Sequence, residues 1–479
     1  MAHLTGQSRE QLVLFPKRLD EAVGKENPVR VIDHFVETLD LAALGFSNVV
    51  AEEMGRPSYT PGDMLKLYVY GYMNRVRSSR GLEREAGRNV EVMWLIGGLT
   101  PAFKTIADFR KDHPRAIVEV CRKFIRWCRE LSLIGGELIA IDGTKIEAVA
   151  SRKQVITPKS VAKTMAALDR KIAAHLAAMD EADREDETDG PIAMDEAAVA
   201  RALQNLQKKR ETAQDHADRL ARQGASQLVL SEPEAKLMRT ARHGYQVAYN
   251  AQTVVDAEHK LIVAFDLTNE GNDQRQLHPM AMQGKQALEV EHVTAVADAG
   301  YSNGEHGQRC EADGITAIVP RAETVNTEGE QYFSRDRFTY DPVSDSWQCP
   351  AGVTLTCHEV SQTEQKKKYW TTACESCALK PHCTAAAKRL IVRHFHEDAR
   401  EAMHQRAVNE PAWMADRREM VEHPYGTIKW MMGYPRFLVR GLKKAKAEFA
   451  LMVMGYNLKR VINILGVAAA IETLQPLPS

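Results

Sequence analysis

The chain has 479 residues, 44% of them hydrophobic and 27% charged, with a net charge of −1. That is an ordinary globular composition for roughly two to four domains, and it excludes a wholly basic or wholly acidic binding protein without fixing local balances. No apolar run reaches the roughly 18 residues of a membrane span. The first residues lack the charged, apolar, small order of a secretory signal, so a cytoplasmic chain is expected.

Residues from about Val29 to Leu133 read as helical. In "TPGDMLKLYVYGYMNR", Thr60 is a natural N-cap and Pro61 the first helical residue, with apolar side chains following at helical spacing. "SSRGLEREAGRNVEVMWLIGG" predicts a second helix, and "TPAFKTIADFRKDHPRAIVEVCRKFIRWCRELSLI" a short helix, a break at Pro114 and a longer one. Strand-like text begins at Glu137. Residues from about Ser160 to Gln223 predict two long polar helices around an acidic turn containing Gly190 and Pro191, a projecting arm inserted in a sheet domain. "YQVAYNAQTVVDAEHKLIVAFDLTN" predicts a hairpin turning at Asp256 to Lys260. A helix over "HPMAMQGKQALEV" and strands over "HVTAVADAGY" and "GITAIVPRA" follow. Gln331 to His396 reads as irregular, and Glu401 to Leu465 as helical with an interruption near Gly433 and Pro435.

Two aspartates share one context. "LIAIDGT" and "VTAVADAGY" each end an apolar strand in an acid followed closely by glycine, at Asp142 and Asp298. Such acids can meet at one sheet edge, where a divalent cation relieves their repulsion. Asp before Gly also caps turns, the plainer reading of either one alone. Glu422 supplies a third acid. Arg418 lies four residues before it, on the same helical face, and Lys429 shares that face if the helix survives Pro424. Arg436, Arg440, Lys443, Lys444 and Lys446 follow as a basic run, read either as a DNA-backbone surface or as solvated lysines.

Cys349, Cys374, Cys377 and Cys383 lie in "WQCPAG" and "CESCALKPHC". In a cytoplasmic chain this spacing points to a four-thiolate Zn²⁺ site rather than disulfides, with a reduced, metal-free cluster as the alternative. His382 is an outside candidate ligand and Cys357 a spare. The segment has little apolar content to hold itself together, which favours a metal staple. Cys121 and Cys128, seven apart on a helix, read as core.

The ordered set of these motifs resembles the bacterial insertion-sequence DDE transposases of the insertion sequence four/five-like superfamily. Arg418, Glu422 and Lys429 match the Arg-x3-Glu-x6-Lys part of their C-terminal signature, while Ala415 stands where the signature has Tyr. "RSSRGLEREAGRNVEVMWLIGG" and "TIADFR" resemble their N-terminal helical domain, and "ADAGYSNGE" the motif of the second acid. The resemblance implies an α/β fold: an RNase-H-like mixed sheet with an inserted helical hairpin and a Cys-rich segment, preceded by an all-α domain. It implies a DNA-binding domain over 1–133, a catalytic domain over 134–465 with insertions at 153–235 and 325–395, and a tail at 466–479. Asp142, Asp298 and Glu422 become the catalytic acids and the ligands of Mg²⁺ or Mn²⁺. Arg418, Lys429, Arg436, Arg440, Lys443 and Lys444 become DNA contacts, with Lys145 a further phosphate candidate more simply read as exposed. Asn272 and Asp273 become supporting residues. The implied activity is cleavage and strand transfer of double-stranded DNA, at terminal inverted repeats and target, by a nucleoid-associated homodimer in the synaptic complex. Two alternatives are a non-catalytic DNA-binding derivative and an RNase-H-like nuclease.

Overall fold

The computed structural model describes residues 18–50, 57–186, 196–240, 244–321 and 332–474. The N-terminal seventeen residues, the acidic turn at Gly190 and Pro191, and the end of the tail lie outside them.

Among the described residues, helical spacing before Leu133 becomes six α-helices: α1 (Val29–Glu37), α2 (Pro61–Met73), α3 (Ser79–Ala86), α4 (Val90–Leu95), α5 (Phe103–Asp112) and α6 (Pro114–Glu130). The Thr60 hydroxyl accepts the Asp63 N–H at 3.1 Å and starts α2 as its sequence predicts. The single helix expected after Ser78 is two, because the Asn89 side chain accepts the Glu91 N–H at 3.0 Å and caps a fresh start. Cys121 and Cys128 are buried on α6, as expected.

Six strands form the central sheet: β1 (Leu138–Glu147), β2 (Lys236–Thr240), β3 (Gly244–Asp256), β4 (Ile262–Thr268), β5 (Val293–Val296) and β6 (Ile315–Ile318). The order is β2–β3–β1–β5–β6, with β4 also on β3. β1 runs antiparallel to β3 and parallel to β5, and β5 parallel to β6. This is the mixed sheet that the resemblance implies, with the predicted β3–β4 hairpin at Asp256. Both faces of β1 are covered, which explains its continuous apolar run. Helix α9 (Leu277–Leu288) lies so close to one face that a Cβ on Gly284 would stand 2.8 Å from Ile139. Ala140, on the opposite face, packs on Met420 and Val421.

The arm consists of α7 (Pro158–Asp186) and α8 (Glu196–Arg222). Its base is a small core of Val161, Leu220 and Leu228 above a two-residue strand pair joining Val155–Ile156 to Leu228–Val229. The second insertion corrects the sequence reading. It is an antiparallel sheet of β7 (Thr339–Asp341), β8 (Ser346–Gln348), β9 (Thr354–Ser361), β10 (Lys366–Trp370) and β11 (Ile391–His394). Phe338, Trp347, Leu355, Tyr369 and Ile391 give it a core of its own. Its few apolar residues are large and alternate onto one face, so a low apolar content still suffices.

Between Gly304–Ala312 (α10) and the C-terminus run α11 (Glu397–Asn409), α12 (Ala412–Gly426), α13 (Leu442–Leu465) and α14 (Val467–Leu474). Pro424 does not break α12, which passes through it into a wide π-helical turn at Thr427–Met431. That turn absorbs the register lost where proline offers no N–H. Helix α13 is buried between α2, α6 and β4, so one core runs from the N-terminal helices through the sheet to the C-terminal helix. No described helix is long and apolar enough to cross a membrane.

Candidate active site

Asp142 is not at a strand end followed by a turn. Strand β1 continues through Asp142 and Gly143 to Glu147, a correction to the sequence reading. Side chains alternate along it. Asp142 and Thr144 face α12, while Gly143 and Lys145 face a buried polar floor on the other side. The glycine is required by that floor: a Cβ there would stand 2.2 Å from Gln252 Nε2 and 2.8 Å from Asp273 Oδ1.

In the floor, Asp273 accepts from Asn250 Nδ2 at 2.6 Å and from Gln252 Nε2 at 2.7 Å. Lys145 is not exposed; its ammonium pairs with Asp273 at 3.3 Å. The Tyr301 hydroxyl donates to Gln252 Oε1. The floor therefore ties the turn that follows Asp298 to the middle of the sheet. Asp273 thus lies at the centre of this floor, whereas Asn272 is exposed.

Asp298 follows the end of β5 and accepts the Gly300 N–H at 2.8 Å, so it does cap a turn. Ala140 pairs with Val296 across β1 and β5, and continuing that register two residues sets Asp298 beside Asp142. A single guanidinium nitrogen spans the two: Arg417 Nη2 is 2.7 Å from Asp142 Oδ1 and 3.4 Å from Asp298 Oδ2. Arg418, the residue that matched the family signature, is exposed. Arg417 was not singled out in the sequence, where its place in the Arg417–Arg418 doublet was the available signal. Burial pushes the Asp142 carboxyl up to about 6; Arg417 draws it down, and the charges of Asp298 and Asp273 add to the rise.

Glu422 is exposed on α12 and lines, with Asp142 and Lys429, a cleft of about 500 Å³. Lys429 donates to Thr144 Oγ1 and, at 2.9 Å, to the Lys145 carbonyl. The Tyr425 hydroxyl donates to the Asp142 carbonyl at 2.9 Å and accepts from Thr253 Oγ1 at 2.9 Å. Tyr425, Gln252 and Tyr301 were not singled out in the sequence, because nothing local distinguishes a buried tyrosine of the core from one that aims its hydroxyl at a strand backbone. Arg436 pairs with Glu147 at 3.1 Å. Arg440, Lys443 and Lys444 line a second, shallower cleft with Lys111. Lys429 and Arg436 thus lie against β1 and Arg440, Lys443 and Lys444 beside α5, while Lys446 pairs with Asp266 at 2.6 Å.

Among the described residues, no three His, Cys, Asp or Glu side chains are already gathered into a metal-holding group. The donors nevertheless suit Mg²⁺ or Mn²⁺. Hard carboxylate oxygens converge on a cation, the Arg417 guanidinium, whose Nε is buried without a hydrogen-bond partner.

Residues 17–112 match the family model of a transposase domain (DUF772), and residues 348–462 match that of a transposase DDE domain. The second match includes Glu422 and, of the Cys-rich sheet, β9 to β11. A search of curated proteins finds no match. Among solved structures, the chain is similar to a piggyBac transposase in a cryo-EM synaptic complex with hairpin DNA, at 8% identity and a TM-score of 0.28, over 95% of this chain and 86% of that one. A likeness that faint carries no weight for fold or partner. Two transposase family models, the second that of a DDE domain, match toward the two ends of the chain and support a DDE transposase with a part in DNA transposition.

Proposed function

We propose that this chain cuts insertion-sequence DNA at its terminal inverted repeats and joins the freed ends to target DNA, with Asp142, Asp298 and Glu422 as its catalytic acids. The observation that carries the reading is the sharing of one cation by Asp142 and Asp298, with Asp142 lining a cleft that Glu422 also lines. Mg²⁺ or Mn²⁺, when bound by these acids, supplies an activated water and stabilises the leaving 3′ oxygen. The chain's own residues do the rest. The polar floor holds Asp142 and Asp298 at a fixed spacing, and Arg417 is placed to compensate their charge or to meet a phosphate. Arg440, Lys443 and Lys444 offer a basic surface to the DNA backbone. Arg436 and Lys429, bonded to β1, brace the strand at the same edge. Two copies of the chain would hold the two ends, on DNA in the nucleoid.

The test is cleavage of labelled DNA carrying the element's own ends, in Mg²⁺ or Mn²⁺, with binding followed in parallel. Wild type should cut at the ends and yield joined product. Asp142→Ala, Asp298→Ala and Glu422→Ala should bind but cut at least 100-fold more slowly. Cutting that survives loss of Glu422 would remove it from the site. Binding by wild type without any cutting would favour a non-catalytic derivative, and cutting without joined product a nuclease.

A further inference from the structure

We propose that the inserted Cys-rich sheet is closed by a structural zinc ion on the thiolates of Cys349, Cys374, Cys377 and Cys383, with Arg389 offsetting part of its negative charge. All four cysteines are free and line one cavity of about 30 Å³, although they come from three separate turns. Cys349 opens a tight turn after β8, in which the Gly352 N–H donates to the Cys349 carbonyl at 2.8 Å and Gly352 takes a φ of +75°. Cys374 and Cys377 follow β10. The Cys377 carbonyl accepts the Lys380 N–H at 3.1 Å, and the Cys383 N–H donates to the Lys380 carbonyl at 2.9 Å. The four thiols share this cavity, although among the described residues no three of them are already gathered into a metal-holding group, so binding would have to draw them together.

Four thiolates are a complete ligand set for a closed structural zinc site, and they carry two negative charges beyond those of the ion. Arg389 supplies one compensating charge, and Lys380 lines the same cavity. Its Nη1 donates to the Cys383 carbonyl at 3.0 Å and its Nη2 to the Phe333 carbonyl at 3.1 Å. Its Nε is buried and has no hydrogen-bond partner. Beyond those two carbonyls Arg389 meets the Phe338 ring, 5.3 Å from its Cζ, in a wall that is mainly apolar, so the cation calls for an anionic neighbour. Neither other candidate fits. Cys357 directs its thiol to the Glu359 carbonyl, 3.8 Å away, and His382 does not line the cavity. The ion would join the end of β8 to the link between β10 and β11, leaving the sheet no free corner.

The experiment is metal analysis of the full chain, purified without chelator. One zinc per chain is expected, released in step with modification of cysteine by an organomercurial. The Cys374→Ser/Cys377→Ser double variant should fall to near zero, whereas Cys357→Ser, His382→Ala and Asp142→Asn should keep their zinc, which separates this site from the carboxylates. Should the double variant fail to fold, zinc-edge X-ray absorption of the wild type should show sulfur ligands only. Absence of zinc from wild type, whether the thiols are free or paired, overturns the proposal. So do nitrogen or oxygen ligands, or full zinc in the double variant.

Discussion

Asp142 is the most consequential single residue, because it is a carboxylate placed where burial opposes its charge. Its pKa, raised from 3.8 to about 6, means that the folded chain holds the proton more tightly than the unfolded one. The sign follows: without divalent ions this group favours folding most below about pH 4, and that contribution is lost as pH rises through 6. A rise of that size is worth roughly 2–3 kcal/mol. Asp142→Asn should therefore raise the midpoint of thermal unfolding of metal-free protein at pH 8, less so at pH 5, and the advantage should vanish when Mg²⁺ or Mn²⁺ is added. A variant no more stable than wild type at pH 8 would show that Arg417 already offsets the burial. Its neighbour Gly143 shows how a motif can be legible for the wrong reason. "DGT" reads as a turn, yet the glycine sits in mid-strand because Gln252 and Asp273 leave no room for a Cβ. That crowding comes from residues more than 100 positions away, which no local pattern reveals.

At the scale of elements, α12 matters through its attachment to β1. Tyr425 and Lys429 both reach the backbone around Asp142, one from the helix and one from the π-helical turn after it. Tyr425→Phe removes the hydroxyl bonded to the Asp142 carbonyl and to Thr253, which should cost about 1–2 kcal/mol. It should also slow end cleavage while leaving DNA binding intact, a split that the unfolding midpoint and the cutting assay together would reveal. Most elements were legible in the sequence: the capped start of α2, the β3–β4 hairpin, the polar arm and the strands that carry the two aspartates. Their periodicity and punctuation are local properties. The Cys-rich sheet was not legible, because its short strands carry few apolar residues and hold together by pairing across sequence. The phase of α12 was legible only to within one residue. A signature spacing names a helical face, but the packing of Met420 and Val421 on Ala140 decides which arginine turns inward.

For the molecule as a whole, the junction between the N-terminal helices and the C-terminal helix is held by a buried charge. Glu448 on α13 has no exposed surface; it accepts the Leu438 and Val439 N–H groups at 2.8 and 3.2 Å and faces Arg77 at 3.7 Å. Arg77 also donates to the Arg436 carbonyl at 2.6 Å. Arg77→Met strands that carboxylate and should cost about 3 kcal/mol, lowering the unfolding midpoint by several degrees. Adding Glu448→Gln should restore part of the loss, and no recovery in the double variant would locate the cost in packing instead. The same junction has a consequence for synthesis. Helices α2 and α6 emerge from the ribosome early, yet the surface they bury against, α13, is translated more than 300 residues later. At roughly 5–20 residues per second, the early helices wait tens of seconds with their apolar faces uncovered. A message truncated before α13 would therefore not leave a folded fragment able to occupy DNA and block the intact protein. It would leave an unfinished chain, open to proteases and chaperones, so a stop or frameshift ahead of the α13 codons should abolish function without producing an inhibitor of the intact protein.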